Sequence, residues 1–178
     1  GRGRTATIFA ALDQRLLDDR ISLRVDGSLL AGSFSSWTTG LTAEGRSRVR
    51  NEGTVLLGQF GFGTVGVDAP LAVWPGAGTG QARPALLRAH SLLDDGRITG
   101  EVFGRRLLHG TAEARRWLKP AWKIVRIAPA LFVDLASANQ RLQPGGAWHT
   151  DVGAGVRVAL PGSRVLRLDV AKGLRDGS

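Results

Sequence analysis

Polar and apolar residues alternate along most of this chain. Between Arg20 and Leu30, Ile21, Leu23, Val25, Gly27 and Leu29 share one parity, and Arg20, Ser22, Arg24, Asp26 and Ser28 share the other. A β-strand sends successive side chains to opposite faces, so strict alternation predicts a strand with one apolar and one polar face. The pattern recurs. Arg4 to Gln14 alternates loosely through Ala6, Ile8, Ala10 and Leu12, and Trp37, Thr39, Leu41 and Ala43 oppose Thr38, Thr42, Glu44 and Arg46. Val152, Ala154, Val156 and Val158 oppose Asp151, Gly153, Gly155 and Arg157, and Leu166, Leu168 and Val170 oppose Arg167 and Asp169. Turn signals separate the runs, at Leu17-Asp18-Asp19-Arg20, Gly32-Ser33, Arg50-Asn51-Glu52-Gly53, Asn139 to Gly146 and Pro161-Gly162-Ser163. Thr54 to Val73 reads as one long run whose glycines suit a strongly curved strand. These runs predict an all-β fold of about eight strands in an antiparallel up-and-down meander, forming one domain over residues 1–178.

The stretch from His109 to Asp134 holds the most informative alternation. His109, Thr111, Glu113 and Arg115 share one face of the first run, opposite Leu108, Gly110, Ala112 and Ala114. In the second run Arg126 and Asp134 share a parity, and Val125, Ile127, Leu131, Val133 and Leu135 take the other. Glu113 and Asp134 are therefore expected on the same charged wall. Residues 75 to 107 break the pattern. A connection of roughly thirty residues exceeds ordinary loop length, and such a loop is generally functional or disordered. Its Leu86, Leu87, Leu92, Leu93 and Phe103 argue against a merely solvated linker.

Composition narrows the possibilities. The formal charge is +9, from 24 Lys+Arg against 15 Asp+Glu. Phosphate binding needs cationic surface, but these residues are mostly arginines spread singly along strand-like runs, with no nucleic-acid motif. The chain contains no Cys, which excludes disulfides and thiolate metal sites. Its three histidines, His90, His109 and His149, are far apart in sequence, so no metal or other cofactor is expected. The chain begins at Gly1 without a start residue or signal peptide, which reads as a processed chain or a fragment. No apolar stretch is long enough for a spanning helix, although barrel strands need only about 9–11 alternating residues.

Alternation leaves open which face meets water. In a soluble sandwich the apolar face is the core. In a membrane barrel it meets lipid, and the charged face lines the lumen. Three features favour the barrel. The apolar faces are rich in Leu, Val, Ala and Gly, with only 6 Phe and no Tyr in the chain to fill a sandwich core. Trp37, Trp74, Trp117, Trp122 and Trp148 lie at or near strand ends, where barrels carry interfacial aromatics. Short turns also alternate with longer loops.

The tail from Trp148 to Gly177 resembles the C-terminal part of the bacterial surface antigen family. This is the barrel domain of the outer-membrane assembly-factor superfamily (BamA/TamA-like). The match rests on Gly153 to Arg157, Pro161-Gly162 and Leu166 to Asp169. Leu131-Phe132-Val133-Asp134 and Glu113-Ala114-Arg115 resemble two further strands of that family. Leu87-Arg88-Ala89-His90 sits where the family carries an Arg-Gly-aromatic loop tip, and here Ala89 and His90 replace the glycine and the aromatic.

The resemblance implies a sixteen-stranded barrel of which this chain would hold about eight strands, lacking the last. It implies a long loop folded into the lumen, with Arg88 held by Glu113 and Asp134. It also implies a bacterial outer-membrane location and a role in assembling or translocating proteins. The expected partners are outer-membrane lipid, client proteins and the remaining strands of its own barrel, and no nucleic acid. No catalytic residues are expected, since neither a nucleophile elbow nor a phosphate-cradling loop is present. A soluble all-β binding module, a sandwich or a small closed barrel, is the alternative.

Overall fold

The structure is a computed structural model that describes residues 6–31, 35–79, 86–91, 93–94, 97–98, 102–119, 125–141, 148–160 and 164–174. Eight long antiparallel strands follow one another in a single sheet: β1 (Ala6–Leu16), β2 (Ile21–Ala31), β3 (Ser36–Arg46), β4 (Gly53–Val65), β7 (Gly104–Trp117), β8 (Arg126–Arg141), β9 (His149–Leu160) and β10 (Arg164–Gly173). Two short strands, β5 (Leu93–Asp94) and β6 (Arg97–Ile98), form a separate hairpin inside the long connection. Neighbours in sequence are neighbours in the sheet, which is the expected meander. The sheet is open, with β1 and β10 as its edges.

The register carries the alternation across the whole sheet. Leu12 lies opposite Val25, Val25 opposite Leu41 and Leu41 opposite Phe62, so one apolar face runs continuously from β1 to β4. Ile8, Leu12, Leu56, Leu131, Leu166, Leu168 and Val170 are all exposed, Leu131 at 66 % and Val170 at 80 %. Leu131, Val133 and Leu135 point away from the charged wall, as their parity requires. The opposite face is where side chains are buried. Along β8, residues 128, 130, 132, 134, 136 and 138 are buried, and those between them are exposed or partly exposed.

The turn between β1 and β2 holds Leu17, Asp18 and Asp19 in succession at positive φ (52°, 53° and 63°) and closes with Arg20 N–H donating to the Leu17 carbonyl. Such a run is unusual for non-glycine residues. The long run expected over Thr54 to Val73 ends earlier, at Val65. The chain then turns, Ala69 N–H donating to the Gly66 carbonyl, and makes one 3₁₀ turn at Leu71–Val73. Asp68 and Pro70 mark this corner in the sequence, although apolar residues flank them on both sides.

The connection from β4 to β7 folds back over the charged face. Val65, Ala69, Trp74, Ala77, Leu87, Val102 and Phe103 bury themselves against Leu107 on β7 and Ala136 and Ala138 on β8. Small residues on β8 leave room for the loop to approach. Leu87 N–H donates to the Ala77 carbonyl at 2.7 Å, which ties the two arms of the loop together. A second, smaller apolar cluster joins Val55, Trp117 and Ala128 near the other end of the strands.

Candidate functional site

Arg88 is carried inward by the loop whose Leu87 is fully buried. Its Nη2 donates to Glu113 Oε2 on β7 at 3.2 Å, and its Nε lies 3.2 Å from Asp134 Oδ2 on β8. Nη1 lies 3.4 Å from Asp169 Oδ2 on β10. The guanidinium carbon sits 3.6 Å from the ring centroid of Phe132, a stacking geometry that arginine adopts readily. Three carboxylates and one aromatic face thus surround a single planar cation. Burial draws the Arg88 pKa below its ordinary value, a shift opposed first by Asp134 and then by Asp169 and Glu113.

The carboxylates are themselves shared. Glu113 Oε1 accepts from Arg157 Nε at 2.8 Å and also from Arg115 on its own strand. Arg157 Nη1 donates to Asp169 Oδ1 at 2.5 Å, and Arg167 Nε donates to Asp169 Oδ2 at 2.6 Å. Arg157 is completely buried and reaches Glu113 across β8, where Ala128 and Ala130 face inward and leave the space free. Asp134 accepts from Thr111 Oγ1 at 2.9 Å, from the residue opposite it on β7. Buried charges persist only when paired and hydrogen-bonded, and here each carboxylate meets more than one donor.

A second group of contacts fixes the residues just after Arg88. Ala89 N–H donates to Asp151 Oδ2 at 2.6 Å, and His90 Nδ1 lies 2.7 Å from Asp151 Oδ1. His149 Nδ1 and His90 Nε2 are 3.2 Å apart, with their rings edge to face. Two histidines that are distant in sequence are therefore neighbours. His109 lies elsewhere, over Gly61, its partner on β4; a Cβ there would come within 2.1 Å of the His109 ring.

Two more glycines serve the same purpose. Phe132 lies over Gly153, where a Cβ would meet the ring at 2.3 Å, and the Asp169 carboxylate lies over Gly155 at 2.0 Å. Each glycine is the cross-strand partner of the side chain that covers it. The missing side chain lets a large or charged neighbour lie flat against the wall.

The structure brings together the three residues singled out as an ion cluster, Arg88, Glu113 and Asp134. It adds Arg157, Asp169, Arg115 and Arg167, whose charged parity was legible but whose partners were not. The tryptophans divide. Trp37 and Trp148 are exposed, at 45 % and 52 %, at the end of the sheet that carries the long loop. Trp74 and Trp117 are buried, at 7 % and 5 %, and the expectation of interfacial positions for them is corrected. Trp74 Nε1 donates to the Ala69 carbonyl, and its ring stacks on Phe103 at 5.8 Å. Trp117 shares the inward parity of Glu113 and packs on Val55 and Ala128. Trp122 lies outside the described residues.

Beside the cluster the charged face opens into a cavity of about 710 Å³, bordered by Arg24, Glu44, Arg46, Arg88, Glu113 and Arg167 among others. Among the described residues no group of three or more histidines and acidic side chains is arranged to hold a metal ion. No family model matches this chain, and no curated protein matches it.

Proposed function

We propose that this chain is part of an outer-membrane β-barrel of the surface antigen type, whose role is the assembly or translocation of other proteins. One observation carries the reading: burial is inverted relative to a water-soluble sheet. Arg157, Asp134, Asp151 and Glu113 are buried on one face, while Leu131, Leu166, Leu168 and Val170 stand exposed on the other. Among the described residues no second layer covers that apolar face. Water makes such a surface costly, and lipid makes it favourable.

The other supports are the strand lengths and the loop. Strands of 10 to 16 residues are long enough to span a bilayer when tilted. The loop arginine is clamped to the charged wall, in the position that the sequence resemblance implies. On this reading no residue performs catalysis. The ion cluster holds the loop, and the protein acts through the strands and the space they enclose. Unpaired strand edges in lipid leave backbone groups unsatisfied at a cost of several kcal/mol each, so β1 and β10 must pair with further strands of the same barrel.

Migration on cold and heated detergent gels tests the reading on the complete protein. A closed barrel migrates faster before heating than after it and leaves the membrane only with detergent. A monomer that stays soluble without detergent contradicts the reading and favours a binding module.

A further inference from the structure

One end of the sheet carries the turns β1–β2, β3–β4, β7–β8 and β9–β10. Exposed cations gather there. Arg20 lies in the first turn, Arg48 and Arg50 in the second, and Arg116 and Lys119 where β7 ends. Among the described residues none of these five side chains has a carboxylate partner. Two carboxylates at the same end are already engaged, Asp19 by Arg15 at 3.7 Å and Glu52 by Arg126 at 3.4 Å, and among the described residues Asp18 is the remaining acidic side chain of these turns. The opposite end differs. It presents exposed Trp37, Trp148, Val67 and Leu71, and its exposed cations among the described residues are Arg106 and Lys172.

The cations do not converge on a point. They are spread along the rim over three successive turns and are interleaved with exposed apolar side chains: Leu17 at 68 %, Leu118 at 50 %, Leu56 at 56 % and Ile127 at 45 %. Leu56 and Ile127 belong to the outward apolar face, so the hydrophobic belt runs directly into the basic rim. A surface that is apolar below and cationic at its edge matches the boundary between acyl chains and negatively charged headgroups. An acidic protein segment would be better served by cations clustered in one patch than by single charges distributed along a line.

We propose that this rim is a docking surface for anionic phospholipid headgroups, which hold the short-turn end of the protein at the level of the headgroups. The proposal rests on the membrane-barrel reading. Each Lys or Arg near an anionic membrane surface strengthens attraction roughly fivefold, and added salt screens that attraction.

The test uses the complete protein folded in zwitterionic detergent and offered labelled phosphatidylglycerol or phosphatidylcholine. Folding is followed separately by heat-modifiable migration. The comparison is a variant carrying R48Q, R50Q, R116Q and K119Q, all exposed positions outside the ion cluster. The expected result is preferential retention of phosphatidylglycerol by at least about tenfold, lost in the variant and in high salt while both proteins remain heat-modifiable. Equal retention of the two lipids by a heat-modifiable protein overturns the docking surface and leaves the barrel standing. A preference that survives the four substitutions overturns the location. Tighter binding of a polyglutamate peptide than of phosphatidylglycerol overturns the lipid in favour of an acidic polypeptide. If no heat-modifiable form is obtained in any condition, the barrel reading fails and this proposal fails with it.

Discussion

Glu113 is the residue on which the buried charges of the inner wall converge. It accepts from Arg88, Arg115 and Arg157, and Arg157 is wholly enclosed. Removing one partner of a buried ion pair leaves an uncompensated charge and costs about 3–5 kcal/mol. Glu113→Gln keeps the shape and removes the charge, so it is expected to lower stability by that amount, read as a shift of the urea midpoint for the folded complete protein. An unchanged midpoint would mean that the arginines find compensation elsewhere. Gly153 offers an independent probe of the same wall. A Cβ there would lie 2.3 Å from both the Phe132 ring and the Val170 carbonyl oxygen. Gly153→Val therefore requires both Phe132 and the backbone of β10 to move, with an expected cost of about 1–3 kcal/mol or more. Since Phe132 also stacks on Arg88, the variant should loosen the loop as well. The charged parity of Glu113, Asp134, Arg157 and Asp169 could be read from the sequence, because period two is a local property. The contact between Arg157 and Glu113 could not. It spans 44 residues and depends on the inward alanines of the strand between them. The pairing of His90 with His149 was hidden for the same reason: sequence distance says nothing about register across a folded loop.

At the scale of elements, the strands were far more legible than the loop. Polar and apolar residues alternate through most of β2, β3, β9 and β10, so their faces follow from the sequence. The corner after Val65 is legible in Asp68 and Pro70, but the apolar residues on either side make Thr54 to Val73 read as one run. The error over Trp117 has a different origin. Position near a strand end says nothing about face, and Trp117 has the inward parity of Glu113, which was already in view. The long loop is held at two places, by the apolar cluster around Leu87 and Phe103 and by the contacts of Arg88, Ala89 and His90. Arg88→Ala removes the ion contacts and the stack on Phe132 but leaves the apolar cluster intact. The expected outcome is a protein that still folds but whose loop is cut by protease within residues 75–103 several times faster than in the parent. Equal cleavage rates would show that the apolar cluster alone fixes the loop.

At the scale of the whole molecule, one inversion dominates: charge inside, hydrocarbon outside. The open sheet carries its buried charges on the face on which the loop is docked, and it leaves the apolar face uncovered among the described residues. An uncovered apolar face is costly in water, and on the proposed reading a lipid bilayer is the layer that covers it. The most direct test is a nitroxide scan along β8. These 178 residues contain no cysteine, so single cysteines introduced at positions 130 to 135 can be labelled without background once any cysteine elsewhere in the complete protein has been replaced. With the complete protein in lipid vesicles, labels replacing Leu131, Val133 and Leu135 should be strongly accessible to molecular oxygen, which concentrates in the hydrocarbon. They should be shielded from a water-soluble nickel chelate, and the positions between them should be shielded from both. Nickel accessibility at Leu131, Val133 and Leu135, with no rise in oxygen accessibility, would place that face in water and contradict the membrane account.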